Sequence, residues 1–450
     1  MEKLFGTDGI RGRANIYPIV PEVALRLGKT IAHVFAQSGP GRPRVLIGKD
    51  TRLSGYMLET ALTSGLVSMG VDVLLVGPIP TPAVAHLTRS MNATVGIMLT
   101  ASHNPFDDNG IKIFDREGYK LSEAVERQIE EVMFNGQMVT DHIRSSGLGR
   151  AFRIEDARGR YIEYAKSTIS NLVLEDLKIV LDCANGAAYQ IGPWIFRELG
   201  ANVIKTGVEP DGYNINAQCG ALFPENIGQL VREHQADIGI AFDGDADRVV
   251  FCDHRGCPVD GDRILAMCAL DLKAQGRLVK DTLVVSTLSN LGLYSSMREH
   301  GIQVVATSVG DRWVIEKMRE GGFTFGGEKS GHLVFMDYAT AGDGIIAALQ
   351  VLKLMRRRSQ PLAELADCME EFPAFLRDLV VQEKPPLEGF PRLEARLREC
   401  EVALRGEGRV LVRYSGTEPK LRVLVEARDE ELGAYWLQVM VETVQEELGL

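Results

Sequence analysis

Short apolar runs rich in β-branched residues alternate with helix-like segments along the chain, and this rhythm occurs three times. Runs that end in a polar turn begin at Val45, Ile179 and Leu283. A second apolar strand follows each run behind a glycine, at Gly70, Gly200 and Gly301. Strand, helix, strand is the order of an α/β domain with a largely parallel sheet. The pattern therefore predicts three related α/β domains with mixed or parallel sheets.

Each repeat then continues into a dense polar motif. The three motifs are LTASHNP at 99–105, AFDGDADR at 241–248 and GGEKSGH at 326–332. In α/β sheets, ligand-binding loops lie at the carboxyl ends of the strands. Each domain would therefore contribute one polar loop to a shared cleft.

The pattern changes at residue 371, where prolines become frequent. Two short strands around the turn SGTEP then precede an amphipathic helix from Glu430 to Leu448. These features predict a small α+β domain at the C-terminal end of the sequence. We expect four domains, at residues 1–150, 151–252, 253–370 and 371–450.

Composition narrows the class of partner. Hydrophobic residues make up 45%, and 50 Lys+Arg against 61 Asp+Glu give a net charge of −11. Nucleic acid and anionic membranes need a basic face, so neither is expected as a main partner, whereas a small phosphorylated ligand needs only a local cationic cluster. No apolar run reaches the roughly 18 residues of a membrane span, and MEKLFGTDGIRG lacks the apolar core of a signal peptide. Seven Cys without a CxxC pair are typical of a reducing cytoplasm, where we expect the protein.

Asp243, Asp245 and Asp247 follow IGIAF, which has the pattern of a buried strand. In an extended segment alternate side chains point the same way, so these carboxylates would repel one another unless a cation lay among them. Oxygen ligands without Cys or His select Mg²⁺ or Ca²⁺. An EF-hand is excluded, because Arg248 and His254 occupy the positions of its Gly and Glu. We predict a divalent-cation site, with an acidic surface turn as the alternative.

The motif TASHNP follows an apolar strand, and its Asn-Pro dipeptide with the later Asn-Gly predicts a tight, exposed loop. Ser102 is either a helix cap or a nucleophile that carries phosphate, with His103 beside it and Lys112 ten residues later. A phosphoserine needs nearby cations, and a metal ion held by three Asp would supply one. The two motifs explain each other, which favours the phosphate carrier.

Two later motifs suit a phosphorylated sugar. In GGEKSGH, Glu328 and Ser330 could bind vicinal hydroxyls, although a plain polar loop fits this motif equally well. RYSGTEPKLR combines hydroxyls, turn amides and two guanidinium groups, a set that favours phosphate binding over an ordinary hairpin turn. The residues of this second set are Arg413, Ser415, Gly416, Thr417 and Arg422.

Taken together, TASHNP, DGDADR, GEKSGH and RYSGTEP resemble, in order, the four motifs of the α-D-phosphohexomutases. The resemblance covers essentially the whole chain, and FGTDGIRG, DCANGAA, PDGYNIN, SNLGL, VGDRWV and AGDGI are similar to the amino-sugar branch of that family. It implies three related α/β domains and a last domain similar to the TATA-binding-protein fold. Lys329 departs from the Gln that is usual in this branch, so mannose and glucose phosphates remain alternative substrates.

The resemblance also implies roles for residues. Ser102 matches the phosphorylated serine and, with Asp243, Asp245 and Asp247, the Mg²⁺ ligands. The matches to the basic or proton-handling groups near the reacting phosphoryl group are Arg11, His103, Lys112 and Arg248. The matches to the sugar and distal-phosphate ligands are Glu328, Ser330, His332, Arg413, Ser415, Gly416, Thr417 and Arg422.

The implied reaction interconverts glucosamine 6-phosphate and glucosamine 1-phosphate, which supplies UDP-N-acetylglucosamine and cell-wall precursors. Phosphoserine 102 would donate its phosphoryl group to form a hexose 1,6-bisphosphate, which is both intermediate and activator, and would be restored by the other phosphate. Lys112 would be a general base if neighbouring cations lowered its pKa. An aspartyl-phosphate hydrolase and a non-catalytic phosphosugar sensor are rival interpretations, and monomer and homodimer both remain open.

Overall fold

The computed structural model describes residues 3–35, 41–135, 143–169, 172–415 and 419–448. The chain forms two compact units, one of residues 1–287 with 303–366 and the other of residues 288–302 with 367–450. Three sheets lie in the first unit and one lies in the second.

The first sheet has six strands in the order β1-β5-β4-β2-β3-β6. Its central strands are apolar and buried on both faces, as expected for parallel strands covered by helices. The elements of this part are β1 (Ile10–Arg13), α1 (Pro21–Val34), β2 (Arg44–Lys49), α2 (Ser54–Ser68), β3 (Asp72–Pro78), α3 (Thr81–Ser90), β4 (Val95–Leu99), β5 (Asp108–Phe114), α4 (Glu123–Asn135) and β6 (Ala151–Arg153).

The second sheet has five strands in the order β11-β10-β9-β7-β8. Its elements are α5 (Ala157–Ser167), β7 (Lys178–Asp182), α6 (Ile191–Glu198), β8 (Asn202–Thr206), α7 (Pro224–His234), β9 (Ile238–Phe242), β10 (Val249–Asp253) and β11 (Pro258–Val259). The third sheet has the order β13-β12-β14-β15. Its part of the chain contains α8 (Gly261–Ala274), β12 (Thr282–Ser286), α9 (Leu291–Glu299), β13 (Gln303–Thr307), α10 (Asp311–Gly321), β14 (Phe325–Gly327), β15 (Leu333–Phe335), α11 (Gly344–Arg358) and α12 (Leu362–Ala366).

The predicted threefold repeat is confirmed by strand pairing. In each sheet the first strand of the repeat pairs in parallel with the second and the third, and the third pairs antiparallel with a fourth. The equivalent runs are β3-β2-β4-β5, β8-β7-β9-β10 and β13-β12-β14-β15. Each polar motif lies between the third and fourth strands, so the repeat places the three loops at equivalent positions.

Strand pairing can be compared with two of the predicted domain boundaries. β6 pairs with β3, so the first sheet continues past residue 150. A boundary at 252 would cut β10, which pairs with β9 and β11. Both boundaries lie beside edge strands of only two or three residues, which are too short to show a period in the sequence. All three boundaries stay predictions.

The second unit contains an antiparallel sheet in the order β16-β18-β17. This unit also includes α9, given above. After residue 367 it contains β16 (Ala374–Val380), α13 (Pro391–Ala403), β17 (Gly408–Tyr414), β18 (Lys420–Ala427) and α14 (Glu430–Leu448). Alternate residues of β18, including Val423 and Val425, pack with Trp436 and Met440 of α14 in one buried cluster. This arrangement is the predicted α+β domain. Within the described segments of both units, no helix is long and apolar enough to cross a bilayer.

Candidate active site

The three aspartates converge because the chain turns, not because it is extended. Residues 243–248 connect β9 to the antiparallel β10, and Ala246 in this connection has a positive φ of 57°. The extended geometry expected for DGDAD is therefore wrong, but its consequence holds. Ligand atoms of Asp243, Asp245 and Asp247 all lie within 4.8 Å of one another, and the three residues are buried.

The donor set of this turn fits a hard divalent cation. Oδ1 of Asp245 and Oδ1 of Asp247 are buried and have no hydrogen-bond partner. Buried carboxylate oxygens without partners are costly, and they are the ligands that Mg²⁺ prefers. The other oxygens of these two carboxylates accept hydrogen bonds from Lys112 Nζ, at 2.8 Å each. An ammonium and a metal ion can thus share this carboxylate cluster.

The pKa values of two of the clustered carboxyl groups, Asp243 and Asp245, are shifted in opposite directions. Burial and repulsion from Asp247 and Asp245 raise the pKa of Asp243 well above its ordinary value. Burial also acts to raise the pKa of Asp245, but the charge of Lys112 outweighs it and lowers this pKa to about 2.

Lys112 is 1% exposed and is held as an ammonium. Burial acts to lower its pKa, but attraction from Asp245, Asp247 and Asp8 raises the pKa well above the ordinary value. The expectation that neighbouring cations lower this pKa is wrong, because carboxylates dominate its surroundings. Lys112 is therefore a buried cation and is poorly suited to accept a proton.

Ser102 lies against the aspartate turn. Its Oγ donates a hydrogen bond to Asp243 Oδ2 at 2.6 Å, and the residue is 1% exposed. Its backbone has a positive φ of 51°, which a serine rarely adopts. Nδ1 of His103 lies 3.3 Å from the same Oγ. Burial and the charges of Arg248 and Arg11 lower the pKa of His103 to about 4, so the ring is neutral at pH 7.

Arg11 and Arg248 border the same loops. Arg11 donates to Ala101 O at 3.3 Å and forms an ion pair with Asp8. The backbone N–H of Arg248 donates to Asp243 Oδ1 at 3.2 Å. For both residues burial acts to lower the pKa, yet neighbouring carboxylates raise it. Both remain cations beside Ser102.

The third loop joins this cluster through residues that the sequence analysis missed. Asp8 lies 3.5 Å from Lys112 Nζ and also pairs with Lys120. Lys120 pairs in turn with Asp311, whose Oδ2 lies 3.4 Å from His332 Nε2. These residues link the aspartate turn to GEKSGH. Pairs separated by 112 and 191 positions leave no local sequence pattern, although Asp8 and Asp311 lie in FGTDGIRG and VGDRWV.

Within the third loop, Glu328 is 8% exposed and accepts a hydrogen bond from Gly310 N at 3.0 Å. Ser330 is exposed at the loop's surface, and Nδ1 of the buried His332 has no partner. Lys329 Nζ lies 3.2 Å from Asp260 Oδ2. This ion pair offsets the charge of the residue that departs from the amino-sugar pattern.

The predicted phosphate-binding residues lie in the second unit. Arg413 and Arg422 are directly opposite in the β17–β18 pairing, so their side chains project from the same face. Burial and repulsion from Arg422 lower the pKa of Arg413. Lys384 Nζ, which the sequence analysis missed, donates to Ser415 O at 2.6 Å. These cations favour an anion at this hairpin, while Gly416 and Thr417 lie outside the described residues.

Family models match four successive segments of the chain. They describe phosphoglucomutase/phosphomannomutase alpha/beta/alpha domain I at residues 2–140, domain II at 159–256, domain III at 260–372 and the C-terminal domain at 376–443. The order of these matches agrees with the four regions described above.

Whole-chain comparisons agree with these matches. Phosphoglucosamine mutase of Pelobacter propionicus is 52% identical over 450 residues, which is 100% of this chain and 99% of that protein. The enzyme of the same name from Myxococcus xanthus is 52% identical over 95% of this chain and 93% of its own.

Solved structures share the fold at lower identity. A phosphoglucomutase/phosphomannomutase family protein from Burkholderia thailandensis has a TM-score of 0.80 at 24% identity, covering 99% of this chain and 97% of that one. Aspergillus fumigatus N-acetylphosphoglucosamine mutase, solved with GlcNAc-6P and magnesium, has a TM-score of 0.66 at 18% identity, with coverage of 99% and 96%. Relatives near 50% identity along the whole chain, four matched domains and the clustered serine and aspartate loops establish that the chain belongs to the phosphoglucomutase/phosphomannomutase family of α-D-phosphohexomutases.

Proposed function

We propose that this enzyme is an isomerase that interconverts glucosamine 6-phosphate and glucosamine 1-phosphate. The observation that carries the proposal is Ser102, whose Oγ lies 2.6 Å from Asp243 in a buried cluster of carboxylates and cations. The identity of about half of all residues to named phosphoglucosamine mutases supports the amino-sugar substrate. The reaction takes place in the cytoplasm and supplies UDP-N-acetylglucosamine synthesis.

In the first half-reaction, phosphoserine 102 donates its phosphoryl group to the free sugar hydroxyl. The P–O bond to Ser102 breaks, a P–O bond to the sugar oxygen forms, and the proton of the sugar hydroxyl ends on the serine oxygen. Neutral His103, 3.3 Å from Oγ, is placed to hold this proton in transit. Arg11, Lys112 and Arg248 are cations that neutralise the charge on the transferring oxygens.

Asp243, Asp245 and Asp247, together with an oxygen on Ser102, would hold Mg²⁺. When bound, the ion neutralises negative charge where the phosphoryl group is transferred. Lys112 Nζ donates to Oδ2 of Asp245 and to Oδ2 of Asp247. Oδ1 of each of these two carboxylates is therefore available to a metal ion.

The product of the first half-reaction is a hexose 1,6-bisphosphate, which turns end for end and returns its other phosphoryl group to Ser102. Glu328, Ser330 and His332 bind sugar hydroxyls in both orientations. The distal phosphate binds the β17–β18 hairpin through Arg413, Ser415 and Arg422, and the predicted ligands Gly416 and Thr417 lie outside the described residues. Lys384 adds a cation to that site.

A coupled assay on one preparation tests the proposal, comparing glucosamine 6-phosphate, mannose 1-phosphate and glucose 1-phosphate at a fixed concentration of glucose 1,6-bisphosphate. We expect the highest kcat/KM with glucosamine 6-phosphate, and no turnover of any substrate by Ser102→Ala. A higher kcat/KM with mannose or glucose phosphate would replace the amino-sugar assignment by a phosphomannomutase or phosphoglucomutase activity.

A further inference from the structure

The backbone around Ser102 accepts hydrogen bonds from a fully buried arginine. Arg52 has 0% exposure. Its Nη2 donates to Ser102 O at 3.1 Å and to Asn104 O at 2.8 Å, and its Nη1 donates to Asp108 O at 3.0 Å. Nη1 also contacts Pro105 O. One guanidinium therefore gathers four carbonyl oxygens of a single loop.

Arg52 is itself fixed in position. Its Nε donates to Asp50 Oδ2 at 2.7 Å, and Thr100 Oγ1 donates to the same oxygen at 2.7 Å. Asp50 Oδ1 also accepts from the backbone N–H of Arg52 at 2.9 Å. Burying a charged pair is costly, and stability alone does not require one, because apolar side chains fill such space at least as well. The geometry of this pair is directed at the loop carbonyls.

A second side chain reaches the same carbonyls from the part of the chain that forms the second sheet. Asn216 is 7% exposed, and its Nδ2 donates to Ser102 O at 2.9 Å and to Asn104 O at 3.0 Å. It belongs to the stretch PDGYNIN and has a positive φ of 58°. Thr51 Oγ1, beside Arg52, donates to Asn185 O of DCANGAA at 2.5 Å. PDGYNIN thus contacts the serine loop directly, and DCANGAA contacts the residue beside Arg52, although neither stretch has a role in the proposed chemistry.

We propose that Arg52 and Asn216, together called the loop clamp, are positioning residues for phosphoryl transfer. Both donate to the carbonyl of Ser102 itself, and so they hold this residue at the φ of 51° that directs Oγ toward Asp243. Neither side chain contacts the reacting atoms. The inference rests on the proposed function, since it assigns these residues to that reaction.

The clamp matters most between the two half-reactions. While the bisphosphate turns, Ser102 carries a free hydroxyl, and no covalent phosphate interacts with the neighbouring cations and metal site. For the return step, Oγ must attack phosphorus as the sugar P–O bond breaks and the serine proton moves to the sugar oxygen. If the loop leaves its position, the return step becomes slower. The bisphosphate then dissociates more often before it is consumed.

The test compares wild type, Asn216→Gly and Arg52→Lys with the control Glu59→Gln. Glycine at position 216 allows the positive φ and removes the side-chain amide that donates to the loop. Lysine at position 52 keeps the positive charge but lacks the planar, forked set of donors of a guanidinium group. The control weakens the buried Lys49–Glu59 pair of 2.7 Å in the same domain without touching the serine loop. The readouts are kcat, KM, hexose bisphosphate released per turnover, and hydrogen exchange of the peptide spanning residues 100–106.

We expect both clamp variants to lose about tenfold in kcat with KM changed less than about twofold, and to release several-fold more bisphosphate per turnover. Their 100–106 peptide should exchange faster. Glu59→Gln should lower the melting temperature and leave bisphosphate release and that peptide unchanged. Clamp variants that match wild type in bisphosphate release and exchange would overturn the inference, as would a Glu59→Gln variant that reproduces their behaviour. Failure of the proposed function is separate, because it would appear as wild-type protein that does not turn over glucosamine 6-phosphate.

Discussion

At the scale of single residues, identical side chains in the aspartate turn have different properties because their neighbours differ. The pKa of Asp243 is raised by burial and two adjacent carboxylates, whereas Lys112 lowers the pKa of Asp245 to about 2. Asp245 is therefore an anion across the whole working pH range. Of Asp243 and Asp245, Asp245 is the one whose negative charge is maintained for a metal ion.

We predict that Asp245→Asn loses at least about 100-fold in Mg²⁺-dependent kcat/KM, because a neutral amide is a weaker ligand for a hard cation. Activity measured across a Mg²⁺ titration, with circular dichroism to check folding, gives the result. Asp253→Asn is the matched control, since Asp253 is equally buried on β10 but binds Arg255 and the N–H of Cys257. Normal turnover of Asp245→Asn at low Mg²⁺ would exclude the triad as the metal site.

At the scale of elements, the β17–β18 hairpin places Arg413 opposite Arg422, and Asp378 Oδ1 lies 3.4 Å from Arg422 Nε. Two opposed arginines also favour a further anion such as a phosphate. Arg422→Ala, and Arg413→Ala similarly, should lower kcat/KM by about 10²-fold, or roughly 3 kcal/mol. The loss should be partial, because Ser415 and Lys384 remain at the hairpin to bind the phosphate. Steady-state kinetics test this against Arg377→Ala, an exposed arginine on β16. Equal kinetics in all three variants would make the hairpin an ordinary turn.

The N-cap residue of helix α11 is Asp343, a carboxyl group with a raised pKa. Asp343 Oδ1 accepts from Ile346 N at 2.8 Å and its Oδ2 accepts from Tyr161 Oη at 2.7 Å. Burial raises the pKa of Asp343 to about 6 in spite of these bonds. The folded carboxyl therefore binds a proton more tightly than the unfolded one, and its contribution to stability is present below pH 4 and lost as the pH rises through 6.

Asp343→Asn should keep the N-cap and remove this titration. Relative to wild type, its free energy of unfolding should increase as the pH rises from 4 to 6, by about 3 kcal/mol in total, and stay constant above. Denaturant unfolding of both proteins at several pH values measures the difference. A difference that does not vary with pH would contradict the assigned pKa.

At the scale of the whole molecule, the regular features could be predicted from the sequence and the long-range ones could not. The apolar periodicity of the sequence predicts the three repeats. Each repeat has the same βαβ pattern, and the strands therefore have the same order in each sheet. The clustering of the three aspartates could be predicted, but from an extended geometry that the β9–β10 turn replaces. Lys120 and Arg52 were missed, because their partners lie far along the chain and only folding brings them together.

The central claim is that Ser102 carries the phosphoryl group that is transferred. Protein labelled with ³²P on Ser102, confirmed by peptide mapping, is mixed with unlabelled glucosamine 6-phosphate and Mg²⁺ for a single turnover. We predict that the label leaves the protein and appears in glucosamine 1-phosphate, while Ser102 is phosphorylated again by the unlabelled 6-phosphate. Label that remains on the protein while product forms, or that appears only as inorganic phosphate, would contradict the account.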